Sequence, residues 1–282
     1  MSLRADRLKP PPTEAVDAGS GPPARARPSR RSALAFLLAL LPAAVLLPHA
    51  AAAGLAKPLV LVELFTSEGC SSCPPADALL AELADRPDIL ALSLHVDYWN
   101  RLGWSDPFSD PANSRRQQAY AQRLGTELYT PQLIVDGQAE AIGSDRAAVE
   151  RRIAAAQTRA RGVALEGHLT ASDVLDISIR SLLPGQPQFG VSLAGSSIML
   201  ATYDERRQTS VDRGENRGRT LAHRHVLRSL RPLALWDGLA DHFLLPLTEA
   251  DRGERLALFL QSGDGAVWAV ARIEGPGPDH DA

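Results

Sequence analysis

The chain has 282 residues, 45% of them hydrophobic, which is enough apolar material for one large domain or two ordinary ones with a packed core. Its formal net charge is -3, and a sequence pI near 6.2 excludes the strongly basic proteins that bind nucleic acids through their charge. Seven basic and three acidic residues fall within residues 1–53, so the rest of the chain carries a net charge of -7.

The first 53 residues have the pattern of an export signal. Arg30-Arg31 precedes an apolar run from Ala33 to Leu47 and a small-residue stretch at residues 50–53, which predicts a cleaved signal peptide. The apolar run is shorter than the roughly 20 residues that span a bilayer, so no permanent membrane span is predicted. Residues 1–28 are rich in Pro, Arg and Ala and are expected to be disordered. The predicted location is periplasmic or secreted, by either the general secretory or the twin-arginine route.

Between residues 54 and 161 the predicted elements alternate between strands and helices. Two near-continuous apolar runs have the length and composition of strands that are covered on both faces. The segment after the first run has helical apolar spacing and carries two prolines where the first turn of a helix tolerates them. The predicted elements are strand Leu59–Phe65, helix Cys70–Ala84, strand Ile89–Val96, helix Asn113–Leu124, strand Gln132–Val135, strand Ala139–Ile142 and helix Ser144–Thr158 with Ser144 as its N-cap.

From residue 162 onward the pattern changes to short alternating runs separated by turns. This spacing is typical of a small β-sandwich, so the sequence predicts an all-β domain over residues 162–275 and a frayed tail over residues 276–282. Its strands are predicted at Val163–Leu169, Val174–Ile179, Phe189–Leu193, Ser197–Tyr203, Thr220–Leu227, Phe243–Leu247, Leu256–Gln261 and Ala266–Ile273.

The two cysteines of the chain, Cys70 and Cys73, form a CxxC pair at the start of the first predicted helix. Free N–H groups and the positive end of the helix dipole favour the thiolate of a cysteine placed there. Cys70 is therefore the predicted nucleophile. Cys73, one turn later, is the predicted resolving thiol, which attacks the mixed disulfide and releases the substrate. Outside the cytoplasm such a pair can rest as a disulfide.

A second signature is Thr130-Pro131, which directly precedes a predicted strand. A proline is allowed directly before a strand, and in a thioredoxin fold, which the chain resembles, such a loop offers backbone groups to an extended substrate peptide. The resemblance thus implies that both residues bind substrate. The loop after the second strand concentrates aromatic residues. Trp99 and Trp104 are predicted there as a wall for the substrate peptide, and the alternative is that they cap the core.

Two carboxylates precede the CxxC pair. Glu63 lies within the otherwise apolar first strand, where it could relay the proton of the resolving cysteine and so count as a catalytic residue. The alternative for Glu63 is a position at a sheet edge or an ion pair with an arginine. Glu68 lies two residues before Cys70 and would disfavour a thiolate if it pointed inward, so it is expected to face solvent.

The order of strand, CxxC helix, strand, helix, Thr-Pro strand, hairpin strand and helix resembles the thioredoxin superfamily over about residues 57–160. Longer motifs are similar to a family of secreted bacterial proteins catalogued as domain of unknown function 1223, and this resemblance implies a fold but no established activity. Those motifs are Glu63–Asp77, His95–Trp99, Leu102–Trp104, Asp106–Phe108, Tyr129–Gln132, Arg213–Asn216 and Arg219–Leu221.

The thioredoxin resemblance implies an α/β thioredoxin-like domain over residues 54–161, followed by the small all-β sandwich-like domain. By that resemblance Cys70 is the nucleophile, Cys73 the resolving thiol and Thr130-Pro131 the substrate loop. The predicted function is an exported thiol–disulfide oxidoreductase that needs no cofactor. Its predicted partners are exported proteins with thiols or disulfides and an electron partner of unknown identity. Ser71-Ser72 lacks both the Gly-Pro of thioredoxins and the Pro-His type of strong oxidants, which leaves the direction of electron flow open.

Two other functions fit the same residues. A copper(I)-binding delivery protein would use Cys70, Cys73 and His95 as soft-metal ligands, unless His95 is simply a structural histidine. A non-catalytic binding module would keep the cysteine pair as a structural disulfide.

An arginine-rich segment, Arg206–Arg219, is followed by His223 and His225 at strand alternation. An anion site or a metal-binding pair is one interpretation of this segment. A solvated hairpin is the other, because acidic residues are interleaved with the arginines.

Overall fold

The computed structural model describes residues 58–170, 172–182, 193–239, 241–251 and 255–273, which belong to one compact unit. The predicted export signal, the frayed tail and most of the strand predicted at Phe189–Leu193 lie outside the described residues. No helix in the described part of the chain is long and apolar enough to cross a membrane.

Strands and helices alternate as far as residue 157, and strands follow from residue 163. The elements are β1 (Val60–Thr66), α1 (Pro74–Ala84), β2 (Ile89–His95), α2 (Pro111–Leu124), β3 (Gln132–Val135), β4 (Ala139–Ile142), α3 (Arg146–Gln157), β5 (Val163–Leu169), β6 (Val174–Ser181), β7 (Ser196–Ser210), β8 (Thr220–Trp236), β9 (Asp241–Pro246), β10 (Arg255–Gln261) and β11 (Val267–Ile273). Short 3₁₀ turns occur at Asn100–Leu102 and Glu249–Asp251.

Eight of these strands form one mixed sheet in the order β11-β10-β7-β8-β2-β1-β3-β4. Strands β1 and β2 are parallel, while β3 runs antiparallel to β1 and β4 antiparallel to β3. Strand β8 joins β2 through a parallel pair between Ser93 and Val226. Strands β5, β6 and β9 form a small antiparallel sheet. The chain is therefore a mixed α/β protein with a large mixed sheet and a small antiparallel one.

The large sheet continues across residue 162, where the sequence predicts the start of a second domain. Strands β7, β8, β10 and β11 extend the sheet that begins with β1 to β4. One apolar cluster contains residues from both halves, including Phe65, Tyr120, Tyr203 and Phe259. Alternation along a strand indicates which face is buried, but it does not indicate which sheet the strand joins, so this continuity is not visible in the sequence pattern.

The central strands β1 and β2 are buried at every position. Side chains alternate between the two faces of the sheet, so Val62 and Leu64 pack in the cluster that contains the α1 leucines. Leu61 and Phe65 pack in the cluster on the other face. Because β1 and β2 are parallel and in register, their carboxyl ends emerge at the same edge of the sheet, where the functional candidates gather.

All three helix starts differ from the predictions. Helix α1 begins at Pro74, four residues after the predicted start at Cys70, and the starts of α2 and α3 differ by one or two residues. The N-cap of α3 is Asp145, whose side chain accepts a hydrogen bond from the Ala148 N–H, and not Ser144. Helix α2 begins at Pro111 after an Asp110 N-cap, slightly before the predicted start. In both helices a carboxylate satisfies an N–H group that has no partner within the helix.

The β7–β8 hairpin is much longer than the sequence predicts. Its strands span 15 and 17 residues and stay paired from Ser196 with Trp236 to Ser210 with Thr220. The outer half of β7, from Glu205 onward, alternates between half-buried and exposed positions and lacks an apolar run. A prediction based on apolar runs therefore ends too early. We call residues 211–219, which connect the two strands, the hairpin tip.

Candidate functional site

Cys70 and Cys73 are joined by a disulfide in the turn between β1 and α1. Cys73 is the N-cap of α1, and the two prolines that follow occupy the first helical positions. The Cys70 N–H donates to the Ser67 carbonyl, and the Cys73 N–H donates to the Cys70 carbonyl. The pair thus lies in consecutive tight turns at the positive end of the α1 dipole.

Both cysteines are 0% exposed, although Ser71 and Ser72 between them are exposed. Two segments from elsewhere in the chain contact the disulfide turn. One is the loop that precedes β3, and the other is the hairpin tip.

The loop before β3 presents a backbone carbonyl to the disulfide. The Thr130 carbonyl oxygen lies 3.9 Å from Cys70 Sγ and 3.4 Å from Ser72 Oγ, and the Thr130–Pro131 peptide bond is cis. Trp99 Nε1 donates to Thr130 Oγ1 at 2.9 Å. The structure therefore brings three of the predicted site residues, Thr130, Pro131 and Trp99, to Cys70.

The hairpin tip binds the backbone of the CxxC turn through two side chains. Asn216 Nδ2 donates to the Glu68 and Cys70 carbonyl oxygens, both at 2.9 Å. Glu215 Oε2 accepts the Ser71 N–H at 2.9 Å. Asn216 is itself held by Arg219, which donates to its Oδ1 at 2.9 Å. The tip therefore belongs to the site, and the solvated-hairpin alternative describes only its outer side chains.

Glu68 is buried under the tip, so the expectation that it faces solvent is wrong. Its side chain is 0% exposed and accepts a hydrogen bond from Trp104 Nε1 at 2.8 Å. Its other oxygen lies 3.1 Å from His223 Nε2 on β8. The expectation failed because these partners lie 36 and 155 residues further along the chain, where an argument about neighbouring residues cannot find them.

His95 forms a buried pair with Asp106, with Nδ1 2.7 Å from Oδ2. Burial lowers the pKa of His95, but the Asp106 carboxylate more than offsets this effect, so the pKa of His95 is raised. Burial raises the pKa of Asp106, and His95 more than offsets that effect, so the pKa of Asp106 is lowered. Asp106 also accepts the Glu68 N–H at 2.8 Å, which ties this pair to the CxxC turn.

The rings of His95 and His223 meet at 4.7 Å between centroids. Two of their nitrogens, His95 Nε2 and His223 Nδ1, are buried without a hydrogen-bond partner among the described residues. Over those same residues, no group of three or more His, Cys, Asp and Glu side chains could hold a metal ion. His225, the other histidine of β8, does not belong to this pair. Its Nδ1 lies 2.9 Å from the Ala91 carbonyl oxygen.

Asp77 belongs to the same buried cluster. It lies one turn beyond Cys73 in α1 and accepts a hydrogen bond from Thr66 Oγ1 at 2.8 Å. Burial raises the pKa of Asp77, and the nearby His223 and His95 only partly oppose this. Helix α1 therefore carries, one turn after Cys73, a buried carboxyl group whose pKa is raised above its usual value.

Glu63 is paired with an arginine, which is one of the two alternatives for this residue. Arg116 Nε donates to Glu63 Oε1 at 2.6 Å, and Tyr120 Oη donates to Oε2 at 2.7 Å. Tyr120 in turn accepts from Gln261 at 3.0 Å, so strand β10 also contributes to this network. By alternation along β1, Glu63 points to the face opposite Leu64, away from the cluster that contains α1. A role for Glu63 in catalysis stays a prediction.

Sequence reasoning did not single out Glu215, Asn216 or Asp106 as site residues. The available signal was their presence in motifs shared with the resembling family, at Arg213–Asn216 and Asp106–Phe108. The hydrogen bonds from the tip to the CxxC turn join residues 144 to 148 positions apart, which no local pattern predicts.

A protein family of unknown function, DUF1223, matches the chain over residues 61–261, a range that contains the disulfide turn, the Thr130 loop and the hairpin tip. The chain belongs to this family. A crystal structure of a protein from Agrobacterium tumefaciens, a structural genomics target, is similar with 27% identity and a TM-score of 0.64. The similarity covers 80% of this chain and 99% of that one. No curated protein matches the chain. Membership in DUF1223 thus identifies a shared fold and shared motifs without naming an activity.

Proposed function

We propose that this DUF1223 protein is an exported thiol–disulfide oxidoreductase with a thioredoxin-like core. The observation that carries the proposal is a disulfide at the start of α1 with the Thr130 carbonyl 3.9 Å from Cys70 Sγ. Parallel β1 and β2 with α1 between them in the chain, and then the antiparallel β3 and β4 before α3, support the thioredoxin-like assignment. The export signal predicted over residues 1–53 supports a periplasmic or secreted location.

In the proposed reaction a substrate thiolate attacks Cys70 Sγ. The Cys70–Cys73 bond breaks, Cys73 leaves as a thiolate, and a mixed disulfide forms between the substrate and Cys70. A second substrate thiol attacks the substrate sulfur of the mixed disulfide and releases reduced Cys70. Two substrate thiols are thereby oxidised to one disulfide while the CxxC pair gains two electrons and two protons. The reverse sequence reduces a substrate disulfide, with Cys73 as the resolving thiol.

Substrate access in this proposal requires movement of the hairpin tip. Both cysteines are 0% exposed while Asn216 and Glu215 are bound to the CxxC turn. Release of those side chains would expose the turn together with the Thr130 backbone, which could pair with an extended substrate peptide. Trp99 and Trp104 border this region and would provide its apolar contact surface.

The test uses the chain without its first 53 residues, oxidised, in exchange with reduced and oxidised glutathione and in insulin reduction by dithiothreitol. We expect the wild type to exchange and the Cys70→Ser variant to be inactive. We expect Cys73→Ser to accumulate mixed disulfides at Cys70, which mass spectrometry detects. Equal inactivity of the wild type and Cys70→Ser, together with no mixed disulfide in Cys73→Ser, would contradict the proposal.

A second candidate is a binding module in which the disulfide is structural. The specific observation in its favour is the complete burial of both cysteines. Structural disulfides have reduction potentials below about -300 mV and exchange slowly with glutathione. A potential in that range combined with no detectable insulin reduction would select this candidate over the oxidoreductase.

A further inference from the structure

The exposed surface around the CxxC turn is rich in arginine, although the chain after residue 53 carries a net charge of -7. We define this surface, formed by Ser71, Ser72 and the hairpin tip, as the mouth. The exposed arginines on or beside it are Arg101, Arg213, Arg217 and Arg219. A basic patch on an acidic protein attracts partners of a sign opposite to that of the patch.

Arg219 is held near Cys70 by a side-chain contact, and the other three arginines lie on the two segments that meet there. Arg219 donates to Asn216, which is bound to the Cys70 carbonyl. Gly214 packs so closely on Trp104 that a Cβ added there would lie 3.2 Å from the Trp104 Cβ. Arg213 is the chain neighbour of Gly214, and Arg101 belongs to the loop that carries Trp104.

Within the tip, three arginines outnumber the two acidic residues, Asp212 and Glu215. Arg101 lies on a loop that also carries Asp97 and Asp110, so the excess of positive charge belongs to the tip. The buried carboxylates behind the turn, Glu68 and Asp106, each face a histidine.

The contact made by Glu215 shows that the mouth binds a carboxylate. The exposed Glu215 carboxylate, on a tip with three arginines, accepts the Ser71 N–H at 2.9 Å. Hydrogen bonding by the Ser71 side chain and by the Ser71 N–H lowers the pKa of Glu215, which favours its carboxylate form. The Ser71 N–H, which lies three residues before the start of α1, is thus a donor for a carboxylate, and the chain itself provides one.

We infer that the mouth selects acidic polypeptide segments, and that Glu215 occupies in the closed form the position that a carboxylate of the partner takes in the open form. The partner displaces Glu215 from the Ser71 N–H, and the arginines of the tip surround the incoming charge. This inference rests on the proposed function only for the identity of the segment as a thiol or disulfide substrate, because acidic binding does not itself require exchange.

The test separates binding from exchange. Three peptides of one sequence carry Glu, Gln or Lys on both sides of a central serine, which replaces the reactive cysteine. We expect the Glu peptide to bind about tenfold more tightly than the Lys peptide at low ionic strength, to shift the Ser71 amide signal in NMR spectra, and to lose most of this advantage in 0.5 M NaCl. Equal binding of the Glu and Gln peptides at low salt would overturn the inference.

Two variants locate the effect. Arg213→Glu combined with Arg217→Glu should reverse the order of the three peptides, and Glu215→Ala should strengthen binding of the Glu peptide by removing its competitor for the Ser71 N–H. The control with the same charge change, Arg151→Glu combined with Arg180→Glu, lies on α3 and β6 and should keep the wild-type order. A reversal in the control as well would show a net-charge effect and overturn the inference. Acidic binding without exchange of the cysteine-containing peptides would retain this inference and contradict the oxidoreductase.

Discussion

The CxxC turn and the hairpin tip that covers it depend on contacts of different sequence separation. The turn is held by contacts between near neighbours, such as the Cys70 N–H to the Ser67 carbonyl and the Cys73 N–H to the Cys70 carbonyl. The tip reaches the same turn through hydrogen bonds that span 144 to 148 residues. The comparison teaches that the first half of the chain provides the disulfide turn, while the second half provides the tip that covers it.

The largest expected effect comes from removing the Glu68 carboxylate, which joins the CxxC turn to Trp104 and to His223 on β8. Glu68→Ala leaves His223 and Trp104 without their acceptor in a buried site, and we expect a loss of about 3 kcal/mol in the free energy of unfolding. Glu68→Gln keeps an acceptor for Trp104 and should lose less. Urea unfolding at pH 7 measures both variants. A Glu68→Ala protein within about 0.5 kcal/mol of the wild type would mean that this carboxylate does not anchor Trp104 and strand β8 to the turn.

A smaller effect is expected from the side chain that binds the turn directly. Asn216→Ala leaves the Glu68 carbonyl without a donor and removes one of the two donors to the Cys70 carbonyl, for an expected loss of about 2 kcal/mol. Reduction of the disulfide by dithiothreitol should also become several times faster, because the cover loosens. The matched control is Asn113→Ala, which removes a buried amide that donates to the His95 carbonyl away from the tip. Equal reduction rates in the two variants would show that the cover does not limit access to the disulfide.

A substitution at Asp77, in the same buried cluster, is expected to increase the free energy of unfolding, unlike the substitutions above. Because burial raises the pKa of Asp77 above 3.8, the folded protein binds the proton more tightly than the unfolded chain does. The charged carboxyl therefore costs stability above its folded pKa, and this cost disappears as the pH falls towards 3.8. We expect Asp77→Asn to stabilise the protein at pH 7, with a gain that shrinks towards pH 4. Thermal unfolding at several pH values measures it, and a gain that is constant with pH would refute this assignment.

The smallest expected effect belongs to the most exposed contact. Glu215→Ala removes the acceptor of the Ser71 N–H, but water can replace it at this surface. We expect almost no change in the free energy of unfolding and about a twofold faster reduction of the disulfide. A loss of stability as large as that of Asn216→Ala would show that Glu215, and not Asn216, is the principal anchor.

The first half of the fold was largely accessible to sequence reasoning because its signals are local. The predicted bounds of the strands at Gln132–Val135 and Ala139–Ile142 agree with those of β3 and β4, and α1 begins directly after its CxxC pair. The site was only partly accessible. Cys70 and Thr130 carry recognisable motifs, whereas Glu68 changes from exposed to buried solely because a distant hairpin folds over it. The pairing of β2 with β8 brings the hairpin over Glu68, and the periodicity of neither strand predicts this pairing.

The separation between the disulfide and its cover also has a consequence for biosynthesis. Cys70 lies 146 residues before Asn216, so a growing chain presents both thiols to its surroundings long before the side chain that shields them has been made. Over that interval the tip does not yet cover the pair. In the folded chain both cysteines are buried beneath Asn216 and the paired strands β2 and β8, so a reagent reaches the disulfide only when the tip opens.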